Sequence, residues 1–413
     1  MPVAVIAGVG LTAFGRQPGL GVRDLAQAAA VAAVTDAGIP LDRVAAVVVG
    51  NATQGATEGQ HGIRGQIALS GLGLSPGPVI NVENACASGT TALHVALAYV
   101  LSGMADVVLA VGVEVMTQAP HPDLLAAFEG SWDVADREAA LDRLADFSRG
   151  VPVPSDAVEL PGRTVFMDVY AAFARDHMRR FGTTQRQFAA VSAKNHAHSM
   201  HNPYAQYRKA FSIDEVLCGK TVLWPLTVPM CSPISDGAAA VVVCSADLAD
   251  PARAVRVLGT ALGHGGGWDG VDPQRHVSHQ TALRAYAEAG VDPRDVDVAE
   301  VHDATAVGEI QQVEHMGLVP YGDGGPAAER GVTTVGGRIP VNPSGGLESR
   351  GHPIGATGLA QVHELVTQLR GEAGARQVDG ARIALAENSG GLVGLEEAAV
   401  AVTVLEAPSR RRS

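Results

Sequence analysis

Four short stretches of the chain hold side chains able to do chemistry. In NVENACASGTTAL, Cys86 precedes a run from Ala87 to Leu101 of good helix formers, with Leu93, Ala96, Leu97 and Val100 at helical spacing and Gly103 as the stop. A cysteine at a helix N-terminus faces unpaired N–H groups and the positive end of the helix dipole, which favour the nucleophilic thiolate. In EVHDATA, His302 follows the apolar strand DVAEV and so stands at a strand's C-terminal end, where open α/β sheets place their sites. In NPSGGLESRGHPIGATG, Gly345, Gly346, Gly351 and Gly355 allow the backbone to approach a ligand, and Pro353 fixes His352 just ahead of a helix. AENSGG puts Gly390 and Gly391 at the end of a strand. The set offers a thiol nucleophile, a base and donors for developing negative charge. Each member also has a plainer reading: a core cysteine, a hydrogen-bonded structural histidine, a glycine turn.

A weak internal repeat says what positions them. AAVAAVTDAGIPLDRVAAVVVGNAT is a helix, an Ala-Gly stop, a short acidic loop and a β-branched strand with a polar tip. ALRAYAEAGVDPRDVDVAEVHDAT repeats that order with His302 and Asp303 at the tip. Downstream, the Cys86 helix and the strand DVVLAVGVE match the helix LAQVHELVTQLRG and the strand RIALAENSGG. Helices alternating with nearly continuous apolar strands predict α/β layers with strands buried on both faces. Each half then contributes one helix-start group and one strand-tip group from equivalent places, meeting where the halves join. The first half is expected at 1–117, completed by about 224–250, the second at 251–408, and a tail at 409–413. Between them, 118–223 carries more charge, Pro152 and Pro154, and amphipathic helices such as VYAAFARDHMRRFG, and reads as an inserted lobe lying over the first half.

Composition narrows the function classes. The net charge is −13 and only three of 30 basic residues are lysines (Lys194, Lys209, Lys220), which argues against nucleic acid or an anionic membrane as partner. Cys86, Cys218, Cys231 and Cys244 form no CxxC pair and read as free thiols in a reducing compartment. MPVAVIAGVG lacks the features of a signal peptide and no apolar run approaches about 20 residues, so a cytoplasmic location is expected. His196, His198 and His201 have no neighbouring carboxylate or cysteine to complete a metal site, and no metal is expected. GVGLTAFG has the wrong spacing for a dinucleotide fingerprint, and GHGGGWDG, without the Lys-Ser/Thr of a phosphate loop, reads as a flexible connection. Cys231, just before an apolar strand, reads as structural.

In this order and at these separations, NVENACASGTTAL, SDGAAAVVV, EVHDATA, NPSGGLESRGHPIGATGLAQ and AENSGG resemble the thiolase superfamily, specifically the sterol-carrier-protein-type thiolases and their bacterial relatives, over nearly the whole chain. The resemblance implies a duplicated five-layered αβαβα fold with an inserted loop domain, a homodimer, and acyl-CoA thioesters as substrates in lipid metabolism, with no permanently bound cofactor. It makes Cys86 the acyl-accepting nucleophile, His352 its base, the backbone N–H groups of Cys86 and Gly390, beside Gly391, the oxyanion donors, and His302 the group that holds the enolate oxygen of the second substrate. The implied activity is ping-pong C-acyl transfer, by Claisen condensation or thiolysis of a 3-ketoacyl-CoA. One departure stands out: where thiolases carry a second, acid/base cysteine, this chain has Asn388 and Ala304. Asp303, Glu387 and Cys231 are the candidates for a substitute proton relay. Some relatives with this pattern work with a small zinc-binding OB-fold partner, which is expected here too. The alternatives are a thiolase-fold retro-aldolase with an OB-fold partner, in which tyrosines replace the two histidines kept here, and a non-catalytic acyl-CoA-binding scaffold.

Overall fold

The computed structural model describes residues 3–155 and 157–409, so the expected tail lies outside the described residues apart from Ser409. The apolar runs form β1 (Ala4–Leu11), β2 (Ala46–Gly50), β3 (Val79–Val82), β4 (Val107–Glu114), a small hairpin of β5 (Thr221–Leu223) and β6 (Leu226–Thr227), then β7 (Gly237–Ser245), β8 (Val255–His264), β9 (Val298–Glu300), β10 (Ile383–Val393) and β11 (Glu396–Glu406). Nine of them make one sheet in the order β3-β2-β4-β7-β1-β8-β11-β10-β9. The repeat is visible in the pairing. β2 runs parallel to β4, and β4 and β1 flank β7 antiparallel; equally, β9 runs parallel to β10, and β10 and β8 flank β11 antiparallel. Within the sheet, β1 and β8 connect the halves by pairing Val5 with Arg256 and Ile6 with Val255.

Side-chain alternation along the buried strands divides the core into layers. Val5 and Ala7 face the outer helix Val22–Ala37, whose Ala26, Ala29, Ala30 and Ala33 are fully buried. Ile6, Val108 and Val241 of one half and Val298, Ala384 and Ala386 of the other face inward onto Leu93, Leu97, Leu359 and Val362. These belong to the central helices Ser88–Leu101 and Thr357–Arg370. Val400, Val402 and Val404 face the second outer helix, Val277–Ala289. Helix, sheet, helix pair, sheet, helix is the αβαβα sandwich that the resemblance implies, built from the duplicated α/β halves of the repeat.

Three sequence expectations are corrected. The lobe does not lie over the first half alone: Phe188 and Val191 of helix Gln185–Ser199 bury against Ala306, Val307 and Ile310 of helix Ala306–His315 in the second half. An amphipathic face shows that a helix must be covered but not by what. Gly390 and Gly391 do not end β10, which continues to Val393 paired with β11; Gly391, at φ +67°, twists the hairpin. The Gly-rich connection GHGGGWDG is anchored rather than loose, because the backbone N–H groups of Gly266, Gly267 and Trp268 all donate to Glu396 Oε1 at 2.8 to 2.9 Å.

The central helices approach closely enough that neither tolerates a side chain where they cross. A Cβ on Gly89 would stand 2.8 Å from the Gly355 carbonyl oxygen, and one on Gly358 would stand 2.8 Å from Thr90 N and 2.5 Å from Asn388 Oδ1. Gly358→Ala is therefore expected to cost about 1–3 kcal/mol by overpacking, measured by urea unfolding, whereas Gly62→Ala, exposed and with open space around it, serves as control. An unfolding free energy for Gly358→Ala equal to wild type would contradict this packing.

Candidate active site

Every sequence-singled group of the Cys-His-His set arrives at the inner end of this helix crossing. Cys86 lies one residue before Ala87, the N-cap of helix Ser88–Leu101, in a turn where Ala85 has φ +48°. That left-handed conformation is unfavourable for a residue with a Cβ and is held by its neighbours. Ser88 Oγ donates to the Ala85 carbonyl at 2.7 Å and accepts from Asn84 N at 2.9 Å, while Ala85 N donates to Glu83 Oε1 at 2.6 Å. β10 passes flush against the turn: a Cβ on Gly390 would stand 2.7 Å from Cys86 N. Only glycine fits there, which leaves backbone as the wall beside the sulfur.

Cys86 Sγ and ring nitrogens of His302 and His352 all lie within 4.8 Å of one another, the two rings edge to face at 5.3 Å between centroids. Their hydrogen bonds are compatible with opposite tautomers for the two imidazoles. His352 Nδ1 lies 2.6 Å from Thr357 Oγ1, and that hydroxyl donates its proton to the Pro353 carbonyl at 3.0 Å. With the hydroxyl proton on that carbonyl, His352 Nδ1 is the donor and Nε2 keeps a free lone pair. Around His302, Nδ1 lies 3.1 Å from Asn388 Nδ2, and Thr90 Oγ1 lies 2.7 Å from Asn388 Oδ1 and 3.2 Å from the Ala87 carbonyl; with the Thr90 proton on the nearer Asn388 oxygen, Asn388 donates to His302 Nδ1. The proton of His302 is thereby on Nε2. One ring is a base and the other a donor.

Burial fixes the charge state of all three. His302 is held down at about 3 and His352 well below its usual value by loss of water, helped by the neighbouring ring and the Arg350 charge in the case of His352, so both are neutral at pH 7. The Cys86 thiol is pushed up to about 12, first by desolvation and then by the Glu114 and Glu83 carboxylates. Removal of water from around the sulfur thus opposes the activation expected from the helix dipole. The resting pair is a thiol and a neutral imidazole.

Two buried tethers bring the histidine segments together. Glu300, at the end of β9 two residues before His302, accepts from Arg350 Nη1 at 3.0 Å and from Ser344 N and Oγ, both in the loop that carries His352. Asp303 accepts from the Leu347 and Glu348 N–H groups of that loop and from Asn195 Nδ2 at 3.0 Å. His196 and His198 brace it from the lobe, through Ser349 Oγ and the Asn342 carbonyl.

The cavity around the triad, of about 70 Å³, is lined by Phe128, Phe166, Met167, Tyr170, Ile234, Ala304, Ser389 and Glu397 among others. None of the three relay candidates lines it. Asp303 faces the loop amides, Glu387 receives the His302 backbone N–H at 2.8 Å from behind, and Cys231 Sγ donates to the Thr227 carbonyl at 3.5 Å and lines the adjoining cleft. Ala304 leaves space beside His302. Among groups the sequence reading did not single out, Thr90 and Thr357 were accessible in principle, four residues after Cys86 and five after His352; Tyr170 and Glu397 carry no local signal.

With that geometry in place, comparison with known proteins decides the family. A family model described as the thiolase N-terminal domain matches residues 4–215, and one described as thiolase C-terminal domain-like matches residues 270–404. The chain belongs to the thiolase family. An acetyl-CoA acetyltransferase of Methanothermobacter thermautotrophicus is 40% identical over 399 residues, 95% of this chain and 97% of that protein. Sterol carrier protein 2 of Bos taurus is 38% identical, over 93% of this chain and 69% of that protein, and the benzoylsuccinyl-CoA thiolase subunit BbsB of Thauera aromatica is 34% identical over 94% of each. A solved structure described as an Ltp2-ChsH2(DUF35) aldolase superposes with a TM-score of 0.76 over 99% of this chain and 98% of its own at 23% identity, a likeness of fold. The thiolase fold thus accounts for the whole duplicated body.

Glu387 is pushed up to about 8 by burial, with Glu397 adding to the effect. Its folded value lies above its unfolded one, so the folded chain holds an extra proton between about pH 4.5 and 8, and the stability this gives is lost as pH rises through that window. Glu387→Gln is expected to remove this dependence: its unfolding free energy relative to wild type should rise from pH 5 to pH 8, by up to about 1.4 kcal/mol per pH unit. Parallel pH profiles in urea titrations would contradict it.

Proposed function

We propose that this thiolase transfers an acyl group from an acyl-CoA to carbon, or from a 3-ketoacyl-CoA to free CoA, through a thioester on Cys86. The observation that carries the reading is the meeting of a buried thiol with two neutral imidazoles within 4.8 Å of one another. As Sγ attacks the thioester carbonyl, His352 Nε2 takes the thiol proton, so charge appears only in the transition state. The developing oxyanion sits against the backbone N–H groups of Cys86 and Gly390, a donor pair made rigid by the Ala85 turn and β10. Collapse expels CoA thiolate, which takes the proton from His352. In the second half-reaction His302 Nε2–H donates to the carbonyl oxygen of the acceptor as its α-carbon loses a proton, and the carbanion attacks the acyl thioester and expels the Cys86 thiolate, which takes that proton back from the base. His352, neutral again, is the base within reach for that proton, in the place a second cysteine would take.

A cleft of about 650 Å³ continues from the triad cavity, sharing Thr164, Met167, Ser232, Pro233 and Ile234, and is rimmed by Arg163, Arg208 and Lys209. An apolar channel leading to a cationic rim suits the pantetheine arm and phosphates of CoA in an otherwise acidic protein.

Intact-protein mass spectrometry after incubation with acyl-CoAs is expected to show an acyl adduct on wild type and none on Cys86→Ala. His302→Ala should still take up the acyl group while turnover falls by about 100-fold or more. An adduct on Cys86→Ala, or His302→Ala turning over at the wild-type rate, would contradict these roles.

A further inference from the structure

Pro233 and Ile234 line three adjoining spaces at once. These are the triad cavity of about 70 Å³, the cleft of about 650 Å³, and a third space of about 460 Å³ lined also by Met116, Ala119, Leu124 and Gln206. The segment that carries the two residues is pinned to both histidine segments. Ser232 N donates to the Ala304 carbonyl at 2.9 Å, and Ser235 Oγ accepts from His352 N at 3.0 Å. Gln206 Nε2 donates to the Ile234 carbonyl at 3.4 Å. Ile234 and Cys86 both pack against the cluster of Met116, Leu124, Phe128 and Ile354, and Phe128 is set edge to face on Phe166 at 6.4 Å between centroids. Pro233 is a ring closed on the backbone, which leaves the Ile234 side chain as the removable part of the partition.

A thioester bound for attack by Cys86 diverges at its carbonyl carbon. Its sulfur and pantetheine arm leave by the cleft, so its acyl group is housed in the triad cavity. At about 10–15 Å³ for each water-sized group, that cavity takes about five such groups. The carbonyl carbon and oxygen fill part of this room, and what is left suits an acyl group of about four carbons at most. A longer chain runs into the packed wall at Ile234, beyond which the third space is large enough for several more methylenes.

We propose that Ile234 restricts this enzyme to short acyl groups by closing the triad cavity off from the third space. The proposal rests on the acyl-transfer reading above. Specificity of this kind works by exclusion: a short chain gains little from the wall, while a long one clashes with it. Ile234→Ala removes all but the first side-chain carbon and joins the two spaces, so a long chain gains room and a short one keeps its own.

The test is the rate of Cys86 acylation, followed by intact mass, with acetyl-CoA, butyryl-CoA and octanoyl-CoA. Wild type should be labelled by the faster of the two short donors at least about tenfold faster than by octanoyl-CoA, a margin within what a few methylenes decide in an apolar pocket. Ile234→Ala should raise the octanoyl rate by about tenfold or more while the acetyl rate stays within about threefold, which also shows that the variant is folded. Ile234→Val should fall between the two and carries the test should the alanine variant fail to fold. Octanoyl labelling of wild type as fast as acetyl, or folded Ile234 variants that keep the wild-type ratio, would overturn the proposal and leave acyl transfer standing. No adduct from any thioester would overturn the acyl-transfer reading, and this one with it.

Discussion

The site depends on backbone contact between the two central helices. At Gly89 and Gly358 the helices touch without intervening side chains, and Gly358 also abuts Asn388. That approach puts the turn before one helix, with Cys86, next to the turn before the other, with His352, and sets β10 alongside both. A single methyl group at the crossing would push Asn388 off His302 and separate the halves by more than a hydrogen bond tolerates. Small residues are used here for proximity rather than flexibility.

Proximity alone would not give useful chemistry if water reached the site. Desolvation holds the thiol protonated and both rings neutral, so no charge is stored in the free protein. What distinguishes the two rings is then their second nitrogen. Thr357, tied to Pro353, makes His352 a base; Asn388, tied to Thr90, makes His302 a donor. Asn388, one of the two positions where the resemblance calls for an acid/base cysteine, is instead the side chain that orients His302. Glu300 with Arg350, and Asp303 with the loop amides, hold the two histidine segments to each other, which explains buried charges that line no cavity.

Much of this was legible in the sequence because the information was local or repeated. The apolar runs and the matched helix-strand order gave the layers, and the motifs around Cys86, His302, His352 and Gly390 gave the members of the site. The failures were tertiary. Nothing in the run from 118 to 223 says that Phe188 seeks Ala306 and Ile310 rather than the first half, and a glycine-rich stretch does not announce that Glu396 will bind its amides. At Cys86 helix polarity is visible in sequence, whereas the desolvation and the Glu114 and Glu83 carboxylates that oppose it are not. Glu397, in the cavity wall, lay in a plain β pattern, and its partners Gln312, Ser278 and His276 come from two other elements.

The central claim is that two neutral histidines of opposite tautomer serve one neutral thiol. Nitrogen-15 NMR of histidine-labelled protein at pH 7, with His302→Ala and His352→Ala for assignment, reads it directly. The expected spectrum shows His352 protonated on Nδ1 alone and His302 on Nε2 alone. A doubly protonated His352, the signature of a preformed thiolate pair, or the same tautomer for both rings, would contradict it.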